Sequence, residues 1–148
     1  MSLFTSKVDY ALRALLDLAT QPPGKPAQSR EIAARQEIPE SYLNQLLVVL
    51  RRAGLVRSVR GAAGGYVLGR EPHTMTVADL VEALHGPDFL GENGEGDRGS
   101  TTPNAFVIRA FHARLSATVR RELAATSLAD LVIEGQRLNT AQSLMLGL

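Results

Sequence analysis

Residues 56–70 read VRSVRGAAGGYVLGR: two halves with strand character on either side of a small-residue knot, GAAGG. Gly61, Gly64 and Gly65 permit the positive φ angles of a tight turn, so the stretch reads as a β-hairpin with a thin tip. Arg57, Arg60 and Arg70 make it basic, and it contains no acid. Such a hairpin is either a solvated turn or a finger that reaches a polyanion. The segments around it decide between the two.

The hairpin lies inside a longer acid-free run. No Asp or Glu falls between Glu40 and Glu71, whereas Arg51, Arg52, Arg57, Arg60 and Arg70 do. Residues 1–75 hold ten Lys and Arg against six Asp and Glu, a balance of +4; residues 76–148 hold six against nine, a balance of −3. The net charge of +1 therefore hides an asymmetry. A field of one sign on part of a nearly neutral chain points to an anionic partner for that face.

Upstream, ESYLNQLLVVLRRAG (40–54) places Leu43, Leu46, Leu47 and Leu50 on one helical face and closes on Gly54 in the C′ position. Before it, across the turn EIPES, the stretch SREIAARQ (29–36) predicts a short helix capped by Ser29, with Ile32 and Ala33 inward. A first helix over 5–20 carries Val8, Leu12, Leu15 and Ala19 at helical spacing, with Ser6 and Asp9 in capping-box positions. QPPGKP ends it, because proline donates no backbone hydrogen bond. Two helices joined by a short turn and followed by a hairpin form the order of a winged helix-turn-helix, the hairpin being the wing.

Downstream, TVADLVEALHGP (76–87) predicts a helix with Thr76 and Asp79 as a capping box and Val77, Leu80, Val81 and Leu84 as its packed face. Glycine and acid dominate 87–102, which is expected to be a flexible loop. Thr102-Pro103 starts a long helix, proline being suited to the first helical position. Its apolar stripe runs through Val107, Phe111, Leu115, Val119 and Leu123, with Ile108 beside it, and a last helix starts at Ser127 with Asp130 in capping position. The expected fold is mainly α with a small β-hairpin. A winged helix-turn-helix domain occupies 1–86, the acidic Gly-rich loop 87–102, and a long helix with a C-terminal helix 103–148.

On the third helix, Ser41, Asn44, Gln45, Val48, Arg51 and Arg52 fall outside the leucine stripe. Serine, asparagine and glutamine read base edges in the major groove, and the two amides can bond adenine bidentately. The paired arginines suit phosphates. Arg60, beside the tip, suits a narrow minor groove with its enhanced negative potential, with Arg57 and Arg70 flanking it toward the backbone. The expected DNA-facing set is Ser29, Arg30, Ser41, Tyr42, Asn44, Gln45, Arg51, Arg52, Arg57, Arg60, Gly64 and Gly65.

Other chemistries find little support. Cysteine is absent, which removes disulfides, zinc ribbons and thiol catalysis. His73, His85 and His112 lie far apart in different elements, and neither phosphate-loop nor nucleophile motifs occur. Asp88, Glu92, Glu95 and Asp97 lack the spacing of a calcium loop. No catalytic residue, metal site or enzymatic activity is expected. No apolar run approaches the roughly 18 residues of a membrane span, so the expected location is the cytoplasm.

SKVDYALRALLDLA, SREIAARQEIPESYLNQLLVVLRRAGLVRSVRGAAGGYVLGR and TVADLVEALHG together resemble the Rrf-type winged-helix transcription regulators, the family of IscR, NsrR and CymR, over most of residues 5–86. The resemblance implies a homodimeric repressor or regulator of double-stranded DNA, with Ser41, Asn44 and Gln45 toward bases and Arg60 as the wing arginine. The family's long helix crosses its mate, which would make Val107, Ile108, Phe111, Leu115, Val119 and Leu123 a dimerisation stripe. Many members hold an iron–sulfur cluster through three cysteines in the loop before that helix. This chain has none there, so a cluster of that kind is excluded, leaving an unidentified small-molecule effector, a partner protein, or no effector. A competing function is a winged-helix interaction module whose basic face meets an acidic protein. Small polar residues and arginines on the third helix, in place of aromatic anchors, weigh against it.

Overall fold

A computed structural model describes residues 4–90 and 99–147. In chain order the elements are α1 (Ser6–Ala19), α2 (Ser29–Gln36), α3 (Glu40–Arg52), β1 (Val56–Val59), β2 (Gly65–Leu68), a 3₁₀ turn (Pro72–Thr74), α4 (Val77–His85), α5 (Pro103–Ala125) and α6 (Leu128–Met145). This is the expected class, mainly helical with one antiparallel hairpin. Half of the acidic loop, residues 91–98, lies outside the described residues, and the expectation of flexibility there lies outside with it. Among the described residues no helix is long and apolar enough to cross a membrane.

One core joins the first four helices. α1 buries Val8, Ala11, Ala14, Leu15 and Leu18, and its two alanines let neighbouring helices approach closely. Against this face pack Ile32 and Ala33 of α2, the four leucines of α3, Leu55 and Val56 at the start of the hairpin, and Val77, Leu80, Val81 and Leu84 of α4. Leu12 and Ala19, placed on the buried face by their spacing, are only half-buried, because the seam runs through Ala11 and Leu18.

Two expected caps are corrected. Thr5, one residue before Ser6, caps α1: its Oγ1 accepts from the Val8 backbone N–H at 3.4 Å. Asp9 instead pairs with Arg13 one turn on, at 3.2 Å. At α2 the cap position is Gln28, whose side chain makes no capping bond, and Ser29 is already helical. The cause is tertiary: Ala27 pairs with a residue of the hairpin, which keeps the chain extended through Gln28. The capping boxes Thr76–Asp79 and Ser127–Asp130 and the Thr102 cap form as their spacing predicts.

Polar ties fix α2 against α1. The Asp17 carboxylate, 3% exposed, accepts from Arg35 Nε at 2.9 Å, Arg35 Nη2 at 2.8 Å and Gln36 Nε2 at 2.9 Å. Arg13 Nη1 donates to the Gln36 carbonyl at 2.6 Å. The chain returns to this core after the acidic loop. Leu128 is buried in it, its N–H donates to Met75 O at 2.8 Å, and Val77 N–H donates to Thr126 O at 2.9 Å. α6 therefore starts against α1 and the 3₁₀ turn, while α5 rests on α4 near Leu123.

Removing a charge-assisted hydrogen-bond acceptor from such a site costs on the order of 1.5–3 kcal/mol. Asp17→Ala should lower unfolding stability in urea by about that amount. Arg35→Ala, which leaves the buried carboxylate without its cation, should be at least as damaging.

Candidate nucleic-acid interface

Burial of Leu43, Leu46, Leu47 and Leu50 sets the rotation of α3. Ser41, Asn44, Gln45, Val48, Arg51 and Arg52 consequently all lie exposed on its outer side. Two turns at the carboxyl end then hand the chain to the hairpin. Gly54, at φ +75°, donates to Arg51 O at 3.0 Å, and Leu55 N–H donates to Leu50 O at 2.9 Å. This 6→1 and 5→2 pair is a Schellman motif, and it brings β1 off the end of α3 without a linker.

Tyr42 is placed differently from its polar neighbours. It is half-buried, edge-on to Tyr10 at 5.7 Å and 76°, and the Arg13 guanidinium lies 4.8 Å over the Tyr10 ring. Tyr42 therefore braces α3 on α1. Arg30 is exposed at the start of α2, and Ser29 is half-buried.

In the hairpin, Val56 pairs with Leu68, Arg57 with Val67, Ser58 with Tyr66, and Val59 with Gly65. Arg60 opens the tip and is exposed; Gly64 N–H closes it by donating to Gly61 O at 3.0 Å. A side chain at Gly64 would overlap the Val59 carbonyl, and one at Gly65 would meet the Ala27 carbonyl. Gly65 must be bare because the wing is stitched to the α1–α2 connection. Ala27 N–H donates to Tyr66 O at 3.0 Å, and Tyr66 N–H to Ala27 O at 2.7 Å. Ala27 thus forms a one-residue third strand, which the sequence KPAQS does not signal.

Among the described residues, Arg51, Arg52, Arg57 and Arg60 enter no ion pair. Arg70 does, and the expectation that it flanks the tip toward phosphates is corrected. Its Nη2 lies 2.9 Å from Asp79 Oδ2, so it ties the base of the wing to the first turn of α4. Partial burial works to raise the Asp79 carboxyl, but the Thr76 backbone N–H and the Arg70 guanidinium outweigh it and hold the group below its ordinary value.

Beyond the winged part, α5 carries its apolar stripe into solvent. Val107 is 65% exposed, Phe111 53% and Leu115 48%, with Phe106 and Ile108 similarly open. Val119 and Leu123 are half-buried. α6 also exposes Ile133, Leu138 and Leu144, which the α5 spacing did not include. Between α4 and α5 lies a cavity of about 230 Å³ lined by Val81, Phe89, Leu90 and Leu123 together with Glu82 and Arg120. His85 stacks near Phe89 at 4.7 Å; burial, aided by the Lys7 charge, pushes its imidazole below the ordinary value.

The lowered Asp79 carboxyl has a pH consequence. A folded value below the unfolded one, about 3.9, contributes stability above that pH and loses it as the pH falls through the folded value. Wild type should therefore lose its advantage over Asp79→Asn progressively below about pH 4, as read from urea midpoints across an acid series.

Comparison with known proteins agrees with this geometry. The family model described as Rrf2, iron-dependent transcriptional regulator, matches residues 4–134. CymR of Bacillus subtilis strain 168, an HTH-type transcriptional regulator, is 36% identical over 127 residues, spanning 86% of this chain and 87% of CymR. IscR of Xenorhabdus nematophila, also an HTH-type transcriptional regulator, is 36% identical over 137 residues, spanning 93% of this chain and 83% of IscR. The solved structure of Bacillus subtilis CymR, a global cysteine regulator, matches with a TM-score of 0.77 at 34% identity, over 90% of this chain and 98% of that one.

The family description names iron, and the donor set here does not fit a thiolate-held cluster. The chain contains no cysteine, and among the described residues no three His, Asp or Glu side chains converge on a metal position. With the winged fold, the polar, arginine-bearing outer face of α3 and a family match across most of its length, the chain belongs to the Rrf2 family of helix-turn-helix transcription regulators, as a member without cysteine.

Proposed function

We propose that the protein is a homodimeric, sequence-specific DNA-binding repressor that works in the cytoplasm without an iron–sulfur cluster. The observation that carries this reading is the outer face of α3, where Ser41, Asn44 and Gln45 stand exposed with Arg51 and Arg52, next to Arg57 and Arg60 of the wing, none of the four arginines entering an ion pair among the described residues. Arg51, Arg52 and Arg57 would neutralise phosphates and release counterions, supplying most of the affinity. The amides and the serine would read base edges in the major groove, while Arg60 at the thin wing tip enters the minor groove.

Residues 1–86 would form the DNA-binding unit and 103–148 the pairing unit. A second copy is the natural cover for Val107, Ile108, Phe111 and Leu115, since an apolar face of this extent is unfavourable in water. Val119 and Leu123 continue the stripe to where α5 meets α4. Two-fold pairing would present two α3 helices to half-sites about one helical turn apart, or a small multiple of it. Repression needs no contact beyond those to DNA. A small effector would find room in the cavity between α4 and α5.

Binding to duplex from the region upstream of the protein's own coding sequence, against a scrambled duplex across a salt series, tests the reading. Tight binding to the first alone is expected. Arg51, Arg52 and Arg57 in each protomer set a limiting slope of about −5 for log K against log salt, and Arg57→Ala should reduce its magnitude by about 2, whereas Arg60→Ala should weaken binding most at A·T-rich positions under the wing. Weak and equal binding to both duplexes would favour a protein partner for the basic face. Phe111→Asp should convert dimer to monomer in sedimentation velocity while leaving helix content intact; an unchanged dimer would remove α5 from the interface.

A further inference from the structure

Val48 is out of place on a surface of this kind. Among the described residues between Thr5 and Leu90, it is the one large apolar side chain that stands exposed, at 36%. Its neighbour Val49 packs against the core, so the exposure is not a general feature of this end of α3. Position on the helix sharpens the point. Taking Ser41 as zero at roughly 100° per residue, Gln45 falls near +40°, Asn44 near −60° and Val48 near −20°, whereas the four leucines span about 140° to 240°. Val48 therefore lies at the centre of the outer face, between the two amides and opposite the buried stripe.

A branched aliphatic group in the middle of a polar readout face has no hydrogen bond to offer. In the major groove one group rewards it: the C5 methyl of thymine, the apolar feature of an otherwise polar base-pair edge. We propose that Val48 is a specificity-determining residue that recognises a thymine methyl in each half-site; this rests on the DNA-recognition reading above. Val48 follows Gln45 and Asn44 by about 4.5–6 Å along the helix axis, one to two base-pair steps of roughly 3.4 Å. The thymine accordingly lies within about two base pairs of the bases contacted by those amides.

The test uses the full-length protein and a duplex selected by it from a random pool. Each thymine of that duplex is replaced singly by deoxyuridine, which removes the methyl and keeps every hydrogen-bonding group. One position per half-site should weaken wild-type binding about three- to ten-fold, the worth of one well-buried methyl. Val48→Ala, a substitution favourable to an exposed helical site, should bind the thymine duplex weaker by a similar factor and be indifferent to that replacement. Selection of a duplex whose binding is insensitive to every replacement, or equal sensitivity of wild type and Val48→Ala, would overturn the role of Val48 alone. Failure to select any duplex would overturn it together with the DNA-recognition reading.

Discussion

Four leucines on one side of α3 hold the arrangement together. Leu43, Leu46, Leu47 and Leu50 are each at most 2% exposed, and burying a leucine fully is worth roughly 1.5–3 kcal/mol. Their sum is comparable with the whole net stability of an ordinary domain, about 5–15 kcal/mol. Rotating α3 by a third of a turn would forfeit much of it. The outward position of Asn44, Gln45 and Val48 is therefore a consequence of the core and is held as firmly as the core is.

The wing is fixed relative to that face by short-range ties. The Schellman turn at Gly54 joins it to the end of α3, the Tyr66–Ala27 exchange ties β2 to the α1–α2 connection, and Arg70–Asp79 secures its base to α4. Two of the three ties are backbone hydrogen bonds, whose length and direction vary little. The distance between the outer face of α3 and the wing tip is thus set by the fold. At the tip, Arg60, Gly61, Ala62 and Ala63 stand in solvent.

The second half of the chain follows another logic. α5 carries an apolar stripe by spacing, yet that stripe faces water along most of its length. Leu128 returns the chain to the core and anchors the start of α6, which leaves α5 spanning from an acidic loop to a fixed point. An apolar stripe on a helix shows that something covers it; it does not show whether the cover is the same chain. Here the stripe from Val107 to Leu115 has no cover among the described residues, and this bears on assembly.

Much of the design was legible in the residues themselves. The leucine stripe of α3, the glycine-rich hairpin, the proline start of α5 and the caps at Thr76, Thr102 and Ser127 depend on residues within about one helical turn of each other, and local spacing determines them. Tertiary structure alone decided the rest: the shift of the α2 cap to Gln28, the Asp17–Arg35 pair, the pairing of Ala27 with Tyr66, the diversion of Arg70 to Asp79, and the place of Leu128 in the core. Each of the last four joins residues at least nine positions apart, in different elements. Periodicity reports which side of a helix is apolar but not which distant backbone or charge will meet it, because that meeting is settled only when the elements pack.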